Sequence, residues 1–258
     1  MSVVSPQASV PCKICGSRAA LAFGLPHTKK SGHPIPDAPD DCWFYQCESC
    51  QFLFTPTLDQ KGHEDIYDDE CWTKQDPEWY GRVGESLRLV GMANELLGKR
   101  LDVVDILDFG CGSGGFVERA RNQLSMNAWG TDINPPPLAR EWFLTDLGDR
   151  KFDIITACEV IEHLPDPRGT FELIRKHLKP RGVFAFQTAE WHPAICDRDW
   201  WYLGPDNGHI SHYSKASFDH LYSKMGGSRR RLWREYPGCQ AWLFTDGIVS
   251  DIRARLFG

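Results

Sequence analysis

Short apolar runs recur along the second half of the chain. Residues 103–109 (Val-Val-Asp-Ile-Leu-Asp-Phe), 127–132 (Asn-Ala-Trp-Gly-Thr-Asp), 151–157 (Lys-Phe-Asp-Ile-Ile-Thr-Ala) and 182–188 (Gly-Val-Phe-Ala-Phe-Gln-Thr) each read as a strand. The first of them runs into a glycine-rich turn and then a helix. Before it, residues 77–100 carry apolar Val83, Leu87, Val90, Met92 and Leu96, the spacing of a helix with one buried face. Nearer the amino terminus, residues 43–46 and 52–55 flank a pair of cysteines like the arms of a hairpin.

The turn after the first strand contains Gly110, Gly112, Gly114 and Gly115. Glycines there let the backbone turn tightly and approach a ligand that side chains would hold off, which marks a nucleotide-type cofactor site. The pattern by itself is common to several cofactor classes. A second feature narrows it: Asp132 ends the next strand about 20 residues on, where a carboxylate accepts hydrogen bonds from both ribose hydroxyls.

Composition sets outer limits. A chain of 258 residues holds one domain of about 180 to 200 residues and a small appendage. The net charge of −6 excludes a broad electrostatic grip on nucleic acid, and only Arg229, Arg230, Arg231 and Arg234 form a local basic cluster. No run of 18 apolar residues suggests a membrane span, and the amino terminus does not read as a secretory signal. A cytoplasmic protein with reduced cysteines is expected.

Four of its ten cysteines are then informative. Cys12 and Cys15, and Cys47 and Cys50, form two C-x2-C pairs separated by 31 residues, the spacing of a structural zinc held by four thiolates. Residues 8–56 are expected to form a zinc-ribbon-like module, too poor in apolar residues to fold without its metal. Cys42, His27 and His33 lie close enough in sequence to exchange with a ligand. The remaining cysteines are scattered and read as small buried hydrophobes.

The glycine turn, the acid after the second strand, Asp146 before the third of these strands and the run Glu-Val-Ile-Glu-His-Leu-Pro-Asp-Pro at 159–167 together resemble class I S-adenosylmethionine-dependent methyltransferases. The resemblance covers roughly residues 85–245. It implies an α/β fold with a Rossmann-like seven-stranded sheet, the zinc module preceding it, residues 57–100 as linker and lid helix, and residues 101–258 as the methyltransferase domain. It implies also that Asp108 with Gly110, Cys111, Gly112 and Gly114 holds the methionine part of S-adenosylmethionine, Asp132 the ribose, and Asp146 with Leu147 the adenine, with Ile133 and Glu159 beside the cofactor. Only 13 residues separate Asp132 from Asp146, three of them Pro135, Pro136 and Pro137, so the connecting helix is expected to be short or broken.

The acceptor side is read from Glu159, Glu162 and His163, spaced i, i+3 and i+4, which one helical turn would place on one face. The run resembles that of ubiquinone-biosynthesis O-methyltransferases, and its Glu-x-x-Glu-His resembles small-RNA 2′-O-methyltransferases. The resemblance implies that both glutamates, His163 and a later histidine, His209 first and His212 second, hold a divalent metal. Two alternatives stay open: His209 or His212 as a metal-free general base, or mere enclosure of the acceptor by Trp191, Trp200, Trp201 and Tyr202. Tyr67 or Trp72 would line the pocket from the linker. The leading expectation is methylation of a small molecule, at a hydroxyl oxygen, with the zinc ribbon shaping or covering the acceptor site. The others are an RNA or protein modifier whose ribbon recognises the macromolecule, and a non-catalytic S-adenosylmethionine-binding protein.

Overall fold

The structure is a computed structural model, and it describes residues 6–30, 32, 34–59, 79–225, 228–232 and 239–245. His33, Tyr67, Trp72 and Arg234 lie outside the described residues, as do the side chains of Arg229, Arg230 and Arg231. The chain divides into two compact units: Met1–Asp68 with Ile161–Thr170 and Ala189–Leu221, and Asp69–Val160 with Phe171–Thr188 and Tyr222–Gly258.

The first unit holds β1 (Ser9–Pro11), β2 (Arg18–Pro26), β3 (Asp41–Cys47) and β4 (Leu53–Phe54). All neighbouring strands are antiparallel, and β3 and β4 are the two arms expected around Cys47 and Cys50. Leu25, Phe44, Leu53 and Leu58 form its core with Trp191, Leu203 and Ile210.

The second unit opens with α1 (Trp79–Leu97), which buries Val83, Val90 and Leu96 while Leu87 and Met92 pack at the margin of the same core. Burying an aliphatic side chain of that size is worth about 1.5 to 3 kcal/mol, so this face anchors the helix. Strand β5 (Asp105–Phe109) leads through the glycine turn into α2 (Gly115–Leu124), and β6 (Asn127–Thr131) follows. Strand β7 (Phe152–Cys158) is buried at every position. That explains its largely apolar sequence, because a strand covered on both faces has no solvent side to make polar; its two polar residues are paired, Asp153 with Lys99 and Lys179 and Thr156 with Asp108. Then come α3 (Pro167–His177) and β8 (Leu178–Ala189), with Phe171 packed edge-on against Phe184 and Phe186.

Late in the chain, β9 (Ser211–His212) joins the first unit as a fifth strand, giving the order β1-β2-β3-β4-β9. Helix α4 (Lys215–Met225), β10 (Ser228–Leu232) and β11 (Cys239–Thr245) complete the described elements. The larger sheet has the order β10-β11-β8-β7-β5-β6, parallel through β8, β7, β5 and β6 and antiparallel between β10 and β11.

The α/β class is as the sequence suggests, but the large sheet has six strands among the described residues, not seven. Between β6 and β7 the chain forms one 3-10 turn (Arg140–Trp142) and one bridge, Gly130 to Phe143. Three consecutive prolines in this brief connection remove the backbone donors that a helix over residues 135–137 would need. What remains is a tether: Leu144 N–H donates to the Gly130 carbonyl at 2.8 Å, and Thr131 Oγ1 to the Leu144 carbonyl at 2.8 Å.

Candidate active site and metal centre

The carboxyl ends of β5 and β6 form a cradle within the second unit. Gly110 and Gly114 have φ of +72° and +79°, and a Cβ at either would lie 2.5 Å from Val160 or 2.4 Å from the Leu138 carbonyl oxygen. Only glycine fits both positions. The loop is tied to the next strand by Gly110 and Cys111 N–H groups donating to the Thr131 carbonyl, at 2.8 and 3.1 Å. The Asp132 carboxylate accepts from Gly112 N–H at 2.8 Å and from Ile133 N–H at 2.7 Å, so two backbone amides help to set its orientation.

Asp108 is buried beneath the loop and accepts from Thr156 Oγ1 at 2.8 Å. Burial pushes its carboxyl up to about 7, against that hydrogen bond and with the Asp132 charge adding to the rise. The Cys111 side chain turns into the core against Gly130, so it presents its backbone, not its thiol, to the loop. Ile133 is exposed at 59% beside Asp132. Asp146 is exposed and accepts from Gly148 N–H at 2.9 Å, two residues beyond the tether at Leu144, with Leu147 next to it and half-buried.

Glu159 follows β7 with φ of +53°, a left-handed conformation for a residue other than glycine. This corrects the expected helical turn: Glu159 is not helical, and a 3-10 turn begins only at Ile161–His163. Its N–H donates to the Gln187 carbonyl at 3.1 Å. Gln187 Nε2 also reaches the Glu159 carboxylate at 3.5 Å, while Arg88 of α1, paired with Glu85, reaches Gln187 Oε1 at 3.5 Å. Sequence reading missed Arg88 and Gln187. The signal was there in Gln187, a polar residue at the carboxyl end of a buried strand.

In the first unit, Cys12, Cys15, Cys47 and Cys50 come together with their sulfurs within 4.8 Å of one another. The Cys12–Cys50 and Cys15–Cys47 separations are 3.6 and 3.4 Å. Tetrahedral zinc with bonds near 2.3 Å sets its sulfurs about 3.8 Å apart, so the set fits that ion. Ile14 N–H points at Cys12 Sγ and Cys50 N–H at Cys47 Sγ, each at 3.4 Å, the amides of two knuckles. A hydrogen bond from Cys50 pulls the Cys12 thiol down to about 5, and the same bond raises Cys50. Cys42 instead lies in the apolar core, where burial pushes its thiol up to about 12, and His27 is engaged with the Pro39 carbonyl at 2.8 Å.

The same unit gathers Glu162, His163 and His209, whose ligand atoms lie within 4.8 Å of one another. Glu162 is fully buried and accepts a 2.5 Å hydrogen bond from the Tyr202 hydroxyl. His209 Nδ1 faces the Tyr202 carbonyl at 2.8 Å. A carbonyl only accepts, so in the neutral ring the proton sits on Nδ1 and Nε2 carries the lone pair. The His163 and His209 rings meet edge-on at 4.8 Å, and His163 Nε2 lies 3.8 Å from Glu162. Glu159 is not in this group.

His212 is placed differently. Phe44, Trp200 and Tyr202 surround its ring at 5.6 to 6.2 Å, and neither ring nitrogen has a hydrogen-bond partner among the described residues. Burial holds it well below the ordinary imidazole range, with His209 and Lys29 adding to the effect and only the His209 backbone favouring its charged form. Trp191 and Trp200 pack in the same cluster, while Trp201 is 48% exposed beneath Lys30.

A parallel sheet with a glycine cradle at its carboxyl edge and an acid fixed beside it defines an α/β protein built to hold an adenosine-type ligand. A methyltransferase-domain family model matches residues 85–226, more than half of the 258 residues, and the chain belongs to that family. It is 34% identical over 118 residues to the ubiquinone biosynthesis O-methyltransferase of Actinobacillus pleuropneumoniae serotype 7, covering 37% of this chain and 48% of that one. With the enzyme of the same name from Histophilus somni it shares 36% over 105 residues, covering 32% and 44%. The chain thus spans about half the length of the curated relatives it matches. Among solved structures, the plantazolicin methyltransferase BpumL in complex with SAH superposes with a TM-score of 0.53 at 13% identity, covering 71% of this chain and 93% of that one. That likeness bears on the fold alone. Among the described residues no helix is long and apolar enough to cross a membrane.

Proposed function

We propose that the chain is an S-adenosylmethionine-dependent methyltransferase acting on a hydroxyl oxygen of a small molecule. The observation that carries the reading is the cradle: loop glycines that admit no Cβ, and an Asp132 carboxylate oriented by Gly112 and Ile133 amides, in a chain of the methyltransferase-domain family. Relatives named as O-methyltransferases support an oxygen acceptor. When bound, S-adenosylmethionine supplies a methyl group already activated on a sulfonium.

The protein's own work is then alignment and proton removal. Asp108 and the backbone of residues 110–114 hold the methionine end, Asp132 the ribose hydroxyls, Asp146 with Leu147 and Ile133 the adenine side, and Glu159 braces the end of β7. On the acceptor side we assign proton removal to His209, whose Nε2 carries the lone pair, with Tyr202 fixing both His209 and Glu162. His212, held neutral by burial, is the weaker base. Cys12, Cys15, Cys47 and Cys50 hold a structural zinc and give residues 8–56 their fold.

A second reading of the acceptor side rests on the convergence of Glu162, His163 and His209. One carboxylate and two imidazoles suit manganese, iron or magnesium, and a cation there would lower the acceptor's pKa and accept two oxygens of a catechol or vicinal diol. Transfer of a radiolabelled methyl group to a panel of phenols and catechols tests both readings. His209→Ala should lower turnover by about 10² to 10⁴ while leaving cofactor affinity intact. Wild-type turnover in His209→Ala and Glu162→Gln would remove the group from the reaction. Turnover that survives a chelator with the ribbon zinc retained would remove the metal.

A further inference from the structure

The strand bearing His212 and the loop bearing His209 are built onto the cysteine module. Leu53 of β4 pairs with His212 of β9 and Phe54 with Ser211, and Thr55 N–H extends the ladder to the Ile210 carbonyl at 3.0 Å. Two-residue strands hold register poorly unless something else pins them. Here each knuckle contributes a pin. From the first, Lys13 Nζ donates to the Thr55 carbonyl at 3.3 Å and to Asp59 at 2.5 Å, and lies 5.3 Å from the centre of the Phe54 ring. At the second, the Cys50 carbonyl accepts from Ser214 Oγ at 2.9 Å.

Beyond β9 the same segment reaches the carboxylate and imidazole group. Ile210 N–H donates to the Glu162 carbonyl at 3.0 Å, Ser211 Oγ to the Leu164 carbonyl at 2.7 Å, and the Tyr213 hydroxyl to the Ile161 carbonyl at 2.8 Å. A hydrogen-bonded path therefore runs from both knuckles, through β4 and β9, to the backbone that carries Glu162, His163 and His209. Lys13 shows what the path costs: its side chain is 12% exposed, and desolvating an ammonium is expensive unless its acceptors are fixed.

We propose that Lys13 and Ser214 are positioning residues through which the four-cysteine centre sets the geometry of the Glu162, His163 and His209 group. On this view the zinc module serves the acceptor side of the same reaction and not the recognition of a macromolecule. The proposal rests on the reading that this group acts on the acceptor.

The test uses the full zinc-loaded chain. Lys13→Met and Ser214→Ala should keep wild-type zinc content and cofactor Kd, shift the ¹⁵N imidazole resonances of His163 and His209, and lower kcat about tenfold, the scale on which supporting groups of a site act. Ser214 also caps α4 through Ser217, so Ser217→Ala is the control, and it should leave the resonances and kcat unchanged. Wild-type resonances and kcat in both variants overturn the proposal. Zinc loss from both overturns it too, because the effect would then lie in the centre itself, and so does an equal loss in Ser217→Ala. Full turnover in His209→Ala would sink the group's role in the reaction, whereas the imidazole resonances report the positioning independently of it.

Discussion

The cofactor cradle and the carboxylate and imidazole group are built by opposite means. The cradle is local: between Asp108 and Ile133 the chain makes a strand, a turn, a helix and a second strand, and its shape is set by glycine geometry and by backbone amides that hold the Asp132 carboxylate. The group sits in a unit assembled from Met1–Asp68, Ile161–Thr170 and Ala189–Leu221, joined by two-residue strands and side-chain hydrogen bonds around four cysteines. A donor shared by many enzymes suits a site written in backbone. An acceptor that differs from enzyme to enzyme suits loops on a separately stabilised frame.

The comparison is broken most severely by removing the second knuckle. Cys47→Ser with Cys50→Ser should abolish zinc binding and cut methyl transfer by about 10³ or more, because metal binding supplies the folding free energy of so small a module. Cofactor affinity should persist, since the Gly112 and Ile133 amides that hold Asp132 belong, like Asp132, to the other unit. Metal analysis, calorimetry with S-adenosylmethionine and a turnover assay on one preparation decide it. Parallel loss of cofactor binding would show that the two regions are not independent.

Next in size is a pH effect confined to the cradle. Asp108 titrates near 7 in the fold, whereas an unfolded aspartate titrates near 3.9. Between those values the folded state keeps a proton that the unfolded state has lost. Stability without cofactor therefore falls as pH rises from about 4 to about 7 and stays lowered above, by an amount reaching roughly 4 kcal/mol. Asp108→Asn removes this loss and should be the more stable protein in urea at pH 8, yet bind S-adenosylmethionine more weakly because its methionine ammonium loses a counter-charge. An equal stability difference from wild type at pH 5 and pH 8 would show that Asp108 is not the titrating group.

The same contrast explains what the sequence made legible. Gly110, Gly112, Gly114 and Asp132 were readable because their spacing along one strand, turn and strand is also their arrangement in space. The cysteine pairs were readable because each knuckle is four residues long. His209 joining Glu162 and His163 was anticipated through family resemblance, but the pairing of β4 with β9 depends on residues some 158 positions apart that carry no shared pattern. Lys13 and Ser214 were invisible for that reason. Glu159 misled because its spacing to Glu162 and His163 is helical, while tertiary packing at the end of β7 holds it left-handed. Pro135, Pro136 and Pro137 pointed to a short or broken connecting helix, but the six-stranded sheet was not read from them.

A third prediction sharpens the contrast by removing one side chain from the backbone-built site. Asp132→Ala should raise the cofactor Kd about 100-fold, the loss expected when hydrogen bonds from two ribose hydroxyls to a charged acceptor go unmade. Asp132→Asn, which keeps one acceptor, should fall between. Calorimetry reads both, and wild-type affinity in Asp132→Ala would end the ribose assignment.

The smallest effect falls at Glu159, where the cradle tolerates a strained residue. A left-handed conformation costs a residue with a Cβ about 1 to 2 kcal/mol, and glycine avoids it while giving up about 0.5 to 1 kcal/mol to the greater freedom of its unfolded chain. The Glu159 carboxylate accepts from Gln187 Nε2 at 3.5 Å, a contact that glycine gives up. On the backbone term alone, Glu159→Gly should be as stable as wild type or up to about 1 kcal/mol more so in urea unfolding, and a loss of stability would show that the side chain's contacts outweigh the strain. If Glu159 is kept for the cofactor, the variant should at the same time bind S-adenosylmethionine more weakly. A variant that gains stability and keeps full affinity would show that the strain at the end of β7 serves neither the cradle nor its ligand.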